Sequence, residues 1–270
     1  MSWLPEWARD ARFRLAALII LGLAILFLRR PDQFLHPYVW DEEGRWVLTQ
    51  YIADGWRSVF YPLAGYMLFI SRAILLTGFS VSILTAPAIN AALMAAFTLG
   101  VFVAVAYSPT VLRWRALCAI SMLLIPSDPE VFGVALYAFW WAGVLLVLAA
   151  LWKQEGGLRW LRAIFIVLGG LSSPLIVPIA AILVLRAAWN RHSRASIAAA
   201  GLAIVMAGIQ TYELYVQNAH PAFASLFSVA YYFVLIQKYV GAFFFECVRR
   251  TGAVCGRCIS GRRQRGGALA

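Results

Sequence analysis

Residues 86–107 read APAINAALMAAFTLGVFVAVAY, a run with no charged side chain. At 1.5 Å of rise per residue, such a run covers the hydrocarbon thickness of a bilayer as one helix. Inside lipid, only a helix satisfies every backbone N–H and C=O within a single segment. This stretch therefore sets the class of the whole chain: an all-α, polytopic transmembrane bundle.

Working outward, Ser108–Arg115 is a basic loop, and Ala116–Ile125 is a short apolar helix ending at Pro126-Ser127-Asp128-Pro129-Glu130. Two prolines and two acids mark a turn at the opposite surface. Val131–Trp152 then returns, and Lys153–Arg162 is basic again. Ala163–Trp189 is too long for one simple span and contains Ser172-Ser173-Pro174, so a split there into two short helices is expected. Ser196–Val216 goes out, Gln217–Ala224 turns, and Ser225–Glu246 comes back. Basic loops alternate with these spans and read as cytoplasmic by the positive-inside rule. The sum is about eight crossings, with both termini in the cytoplasm.

Upstream, the first crossing is placed near Phe13–Leu28, with Arg29 and Arg30 snorkelling at its far end. The outer loop 29–62 follows. In it, Val47, Leu48, Tyr51 and Ile52 share one face at helical spacing, as in a helix lying in the interface. Trp40, Trp46, Trp56, Tyr61 and Tyr66 supply an aromatic belt. The apolar stretch Ala64–Phe79 carries Arg72 and is read as an interfacial helix.

Composition agrees. The chain is 63% hydrophobic and 13% charged, with a mean hydropathy of +0.78. A soluble fold has no means to bury that much apolar surface. The net charge of +11 is concentrated between apolar segments and in the last residues, where Arg249, Arg250, Arg257, Arg262, Arg263 and Arg265 crowd together. That placement suits a membrane protein and argues against nucleic acid as partner. Residues 1–246 are read as the membrane domain and 247–270 as a basic, disordered cytoplasmic tail. Cys255 and Cys258, with Cys247 upstream, lack a fourth zinc ligand at usual spacing, and no disulfide framework is expected.

Chemistry gathers in a few places. Asp41-Glu42-Glu43 opens the interfacial helix. Acids there meet the positive end of a helix dipole, so they serve either as caps or as a general base or metal ligand at the membrane surface. Asp128 and Glu130 form an acid-x-acid turn, either an ordinary turn or a holder of a hard cation such as Mg²⁺ or Mn²⁺. Under the eight-crossing reading, both acidic clusters face the same outer side. Arg72, costly within an apolar helix, is either a snorkelling anchor or a clamp on a lipid-linked phosphate on the lipid-facing side. Glu213, His36 and His220 are weaker candidates, read as solvated outer groups.

The order of these parts resembles the C-type (GT-C) membrane glycosyltransferases. The resemblance is carried by Glu42-Glu43-Gly44, Gly55-Trp56-Arg57-Ser58-Val59-Phe60, Pro62-Leu63-Ala64-Gly65-Tyr66 and Arg72. Pro126 with Glu130, then Trp140, then Leu171-Ser172-Ser173-Pro174 continue it. It spans most of residues 10–245. Glu43 stands where such relatives often carry Asp, and the chain is shorter than is usual for them, which suggests a shortened C-terminus. The resemblance implies sugar transfer from a polyprenyl-phosphate donor at the outer face of a bacterial inner membrane, with inversion. Glu43, Glu42 or Asp41 would act as base. Arg72, Tyr66 and Trp40 would bind substrate, and Asp128 and Glu130 would bind metal. The rival readings are a flippase or transporter of lipid-linked sugar, and an inactive transferase fragment. A transporter would place polar groups near the bilayer midplane, whereas the acids here collect at one surface.

Overall fold

The computed structural model describes residues 11–125, 129–153 and 158–217. All named elements there are helical: α1 (Ala11–Arg29), α2 (Pro31–Leu35), α3 (Thr49–Asp54), α4 (Phe69–Val81), α5 (Ala86–Tyr107), α6 (Arg115–Leu124), α7 (Ala138–Ala150), α8 (Arg159–Gly170), α9 (Ile176–Trp189) and α10 (Arg194–Val216). A π-helical turn, Glu43–Leu48, leads into α3, and 3₁₀ turns cover Gly55–Phe60, Pro129–Phe132 and Ala135–Tyr137. The expected crossing Ser225–Glu246 and the tail with Cys247, Cys255 and Cys258 lie outside the described residues, as do Asp128 and His220.

Two helices, α5 and α10, are long and apolar enough to cross a membrane. The surface agrees: Leu28, Leu84, Leu185 and Trp189 are large, apolar and strongly exposed. Exposed apolar side chains of this size, together with two helices of spanning length, point to a membrane protein.

The helices run back and forth between two ends. α1 and α6 meet at one end, where the Arg29 guanidinium donates to the carbonyls of Leu123 and Ile125 at 3.2 and 3.0 Å. α8 and α10 meet at that same acidic end through Gln210, which donates to the Gly170 carbonyl at 2.8 Å. α7 and α9 run the other way, and Arg186 of α9 donates to the carbonyls of Ala150 and Trp152 just beyond α7. The chain breaks between α8 and α9 at residues 171–175, around Ser172-Ser173-Pro174, because proline cannot donate a helical hydrogen bond.

Small residues let the helices touch. A Cβ on Gly169 would lie 2.6 Å from Leu146 Cγ and 2.8 Å from the Ala142 carbonyl oxygen. On Gly170 it would lie 2.6 Å from Met206 Cβ. Close backbone approach is how membrane helices gain packing energy without a hydrophobic driving force.

Three sequence expectations change. Val131–Trp152 is not one helix: its first third is folded into 3₁₀ turns, and α7 begins at Ala138. The Leu136 N–H that a continuous helix would use goes instead to Glu43. Val47 and Ile52 do not share an environment, being 0% and 70% exposed. They sit at opposite edges of the apolar stripe, and packing against protein, not lipid, selects the Val47 side. Arg29 and Arg30 do not simply snorkel. Arg29 caps α6 and stacks 4.0 Å from the Phe132 ring, while Arg30 pairs with Asp32 at 2.9 Å. Their positive charge is thereby offset locally.

Candidate functional site

The acidic end is built from the loop 29–62, α4 and the turn before α7. α4 stays within this layer along its length. Its Phe69 N–H donates to the Leu171 carbonyl at 3.2 Å, and Phe79 near its other end lies 6.3 Å from the Tyr51 ring.

Glu43 is the hinge of the layer. It is 3% exposed. One carboxylate oxygen accepts from the Trp40 N–H at 3.1 Å, the reach-back half of a capping box. The other accepts from the Leu136 N–H at 2.9 Å. Leu136 is held on its other side too, since its carbonyl accepts from Ser71 Oγ at 2.7 Å. One residue thus joins the loop 29–62, α4 and the approach to α7. Burial pushes the Glu43 carboxyl up to about 7, against the pull of these N–H groups, and nearby Glu42 adds to the rise. Loss of solvation of the charged form outweighs the hydrogen bonds that favour it.

Glu42 and Asp41 are exposed. Glu42 lies close enough to Tyr66 to hold its phenol above the usual range, second to the effect of burial. The Tyr66 ring meets Phe139 edge-on at 6.0 Å, and Phe139 contacts Tyr137 and Trp140 at 6.0 and 5.0 Å. Trp40 is half-buried beside Tyr38 at 6.2 Å. Glu130 lines a cleft of ≈ 500 Å³ with Tyr137, Trp140 and Trp141. The backbone joins the two acidic regions, because the Val134 N–H returns to the Glu130 carbonyl at 3.1 Å just before Leu136.

Arg72 corrects the expectation of a lipid-facing residue. It is 0% exposed. Its guanidinium donates to the carbonyls of Ser58 at 3.1 Å and Pro62 at 3.4 Å. The loop that precedes α4 folds back over it, because a buried cation needs acceptors; the Ser58 carbonyl also accepts from the Tyr61 N–H at 3.0 Å. Arg72 therefore staples loop to helix.

The expected cation site is represented by Glu130 alone, with Asp128 outside the described residues; among those described, no three His, Cys, Asp or Glu gather as metal ligands. Glu213 is half-buried near the end of α10, and His36 is exposed at the end of α2. Sequence reading missed Gln210. Its side chain accepts from the Met67 N–H at 3.0 Å and donates to the carbonyls of Met67 and Gly170 at 3.2 and 2.8 Å. A lone glutamine in an apolar span was the available signal, since such a group must find partners.

No known family model, characterised protein or solved structure matches this chain.

Proposed function

We propose that the chain is a multi-pass membrane protein that transfers a sugar from a polyprenyl-phosphate donor at its acidic end. The observation that carries this reading is the Glu43–Leu136 hydrogen bond, which brings the carboxylates of the first loop beside the aromatic cluster above α7. Aromatic faces with nearby carboxylates suit a sugar: rings stack on C–H faces, and carboxylates accept from hydroxyls. The alternating run of helices supports about eight crossings, with Ser225–Glu246 as the last. By the charge rule, the acidic end faces outward from a bacterial inner membrane, and both termini are cytoplasmic.

In this reaction the acceptor hydroxyl attacks the anomeric carbon from one face. The bond from that carbon to the phosphate oxygen breaks on the other, and the lipid phosphate leaves with the bonding electrons. The hydroxyl proton passes to a carboxylate. A base must come within hydrogen-bond reach of that proton. Glu42 is exposed beside Tyr66, whereas Glu43 is buried and engaged by two N–H groups. The base role therefore falls to Glu42, with Asp41 adjacent, and Glu43 sets the position of the loop. Two Arg72 nitrogens are engaged by the Ser58 and Pro62 carbonyls, while its buried Nε keeps a free donor for the leaving phosphate.

The test is incorporation of labelled sugar from polyprenyl-phosphate donors into membranes carrying the chain. Glu42→Gln is expected to lower transfer by ~10²–10⁴-fold without changing abundance. Full transfer in both Glu42→Gln and Asp41→Asn overturns the base role, and no transfer by the wild type with any donor overturns the reaction.

A second reading, a flippase or transporter of lipid-linked sugar, draws on α5. Asn90 and Thr98 are buried there, with side-chain polar atoms that have no hydrogen-bond partner. Polar groups within a span are expected along a transport path. Donor movement across vesicles, unchanged in Glu42→Gln but lost in Asn90→Leu, would favour it.

A further inference from the structure

The end of α7 away from the acids gathers cations. Arg162 of α8 donates through Nε to the Ala149 carbonyl at 3.0 Å. Arg186 of α9 donates to the carbonyls of Ala150 and Trp152. The carbonyls these two guanidinium groups reach, Ala149 and Ala150, are consecutive at the end of α7. Of the acids between residues 55 and 212, Asp128 and Glu130 belong to the turn before α7, a 13-residue helix away, roughly 20 Å at 1.5 Å per residue. The third, Glu155, lies outside the described residues.

Three buried polar groups at this junction lack partners. They are Arg162 Nη2, Trp152 Nε1 and Thr110 Oγ1, and Arg162 is only 6% exposed. The backbone of Trp152 pairs with that of Thr110, and the Trp152 ring meets Phe165, one turn from Arg162, at 5.8 Å, so the three groups belong to one junction. Backbone carbonyls satisfy part of each guanidinium but carry no full negative charge. Two neighbouring cations with donors to spare call for an anion. Arg186 is half-buried and forms the open side, flanked by exposed Leu185 and Trp189.

We propose that Arg162 and Arg186, with the Trp152 indole N–H, form a binding site for a phosphate-bearing anion at the end of the bundle opposite the acidic loop. Phosphate accepts several charge-assisted hydrogen bonds at once, which matches guanidinium donors. Basic pockets between membrane helices take lipid head groups in the same way. The exposed Leu185 and Trp189 would then meet acyl chains. The site is independent of the transfer reaction proposed above.

The test uses the full chain purified in uncharged detergent. Retention of phosphatidylglycerol and of phosphatidylcholine is compared by native mass spectrometry, with inorganic phosphate as competitor. Preferential retention of phosphatidylglycerol is expected, weakened roughly fivefold in Arg186→Gln and in Arg162→Gln. Arg186→Lys keeps the charge and is expected to retain most of the preference. This variant and Arg186→Gln, at a half-buried position, keep the test valid if Arg162→Gln does not fold. Displacement by inorganic phosphate identifies free phosphate as a sufficient ligand, and resistance to it identifies the lipid phosphate. Equal retention of both lipids with no effect of phosphate overturns the proposal. So does an equal loss in Arg191→Gln, an exposed arginine outside the site, because general surface charge would then explain the preference.

Discussion

The two ends of α7 are finished in opposite ways. At its start, a carboxylate from 93 residues upstream accepts the Leu136 N–H. At its finish, guanidinium groups from the next two helices donate to the Ala149, Ala150 and Trp152 carbonyls. Each end follows the helix dipole, negative charge beside free N–H groups and positive charge beside free C=O groups. They differ in provenance and in access. The cationic end is closed by sequential neighbours, and Arg186 remains half-open. The acidic end is closed by a loop folded over it, with both Glu43 oxygens enclosed. A short helix in a membrane protein is therefore stabilised by what meets its ends as much as by its flanks.

The sharpest way to break the contrast is Glu43→Ala. It leaves the Trp40 and Leu136 N–H groups buried without an acceptor. A loss of roughly 2–6 kcal/mol is expected, at 1–3 kcal/mol per orphaned group. Denaturant titration in detergent would show it, together with faster proteolysis of the loop at residues 41–60. An unchanged midpoint would mean that the loop does not rest on this carboxylate.

The pH dependence comes next. Burial pushes the Glu43 carboxyl up in the folded protein from its ordinary 4.5 to about 7. Raised in the folded state, its contribution is fully present below about pH 4.5 and is lost as pH rises through about 7. At about 1.36 kcal/mol per pKa unit, the span is at most about 3 kcal/mol. Wild type should therefore lose stability relative to Glu43→Gln between those pH values. Parallel curves would remove the burial effect.

The middle of α7 supplies a baseline for its ends. Gly169→Ala would press a methyl group against Leu146 and the Ala142 carbonyl, at a cost of roughly 1–3 kcal/mol in a packed interface. A thermal midpoint as high as that of wild type would show that α7 and α8 separate easily. The smallest effect is expected for Ser71→Ala, which removes one hydrogen bond to Leu136 while Glu43 keeps the other side, at about 1 kcal/mol. A double-mutant cycle with Glu43→Ala measures the coupling across Leu136. Additivity would separate the two contacts.

Much of this was legible from one-dimensional pattern. The bounds of α5 and the break at Ser172-Ser173-Pro174 follow from apolar length and proline chemistry, both local. The acids were legible as a group but not by role. Glu42 and Glu43 are consecutive and chemically alike, yet one is exposed and the other enclosed, because a helix points adjacent side chains in different directions and the turn before α7 covers only one of them. Arg72 shows the same limit. Its cost within an apolar segment was plain, but its acceptors, Ser58 and Pro62, became available only when the loop folded back.

By itself, the sequence determined that the chain is helical and lives in a membrane, since burial of apolar surface and backbone hydrogen bonding within a segment depend on composition and spacing. The tertiary structure decided which polar groups are engaged and which are open. Glu43, Arg72, Gln210 and Arg186 each find partners on other segments, and a buried polar group takes whatever partner packing brings within about 3 Å. That distance belongs to the assembled fold and to no single stretch of residues.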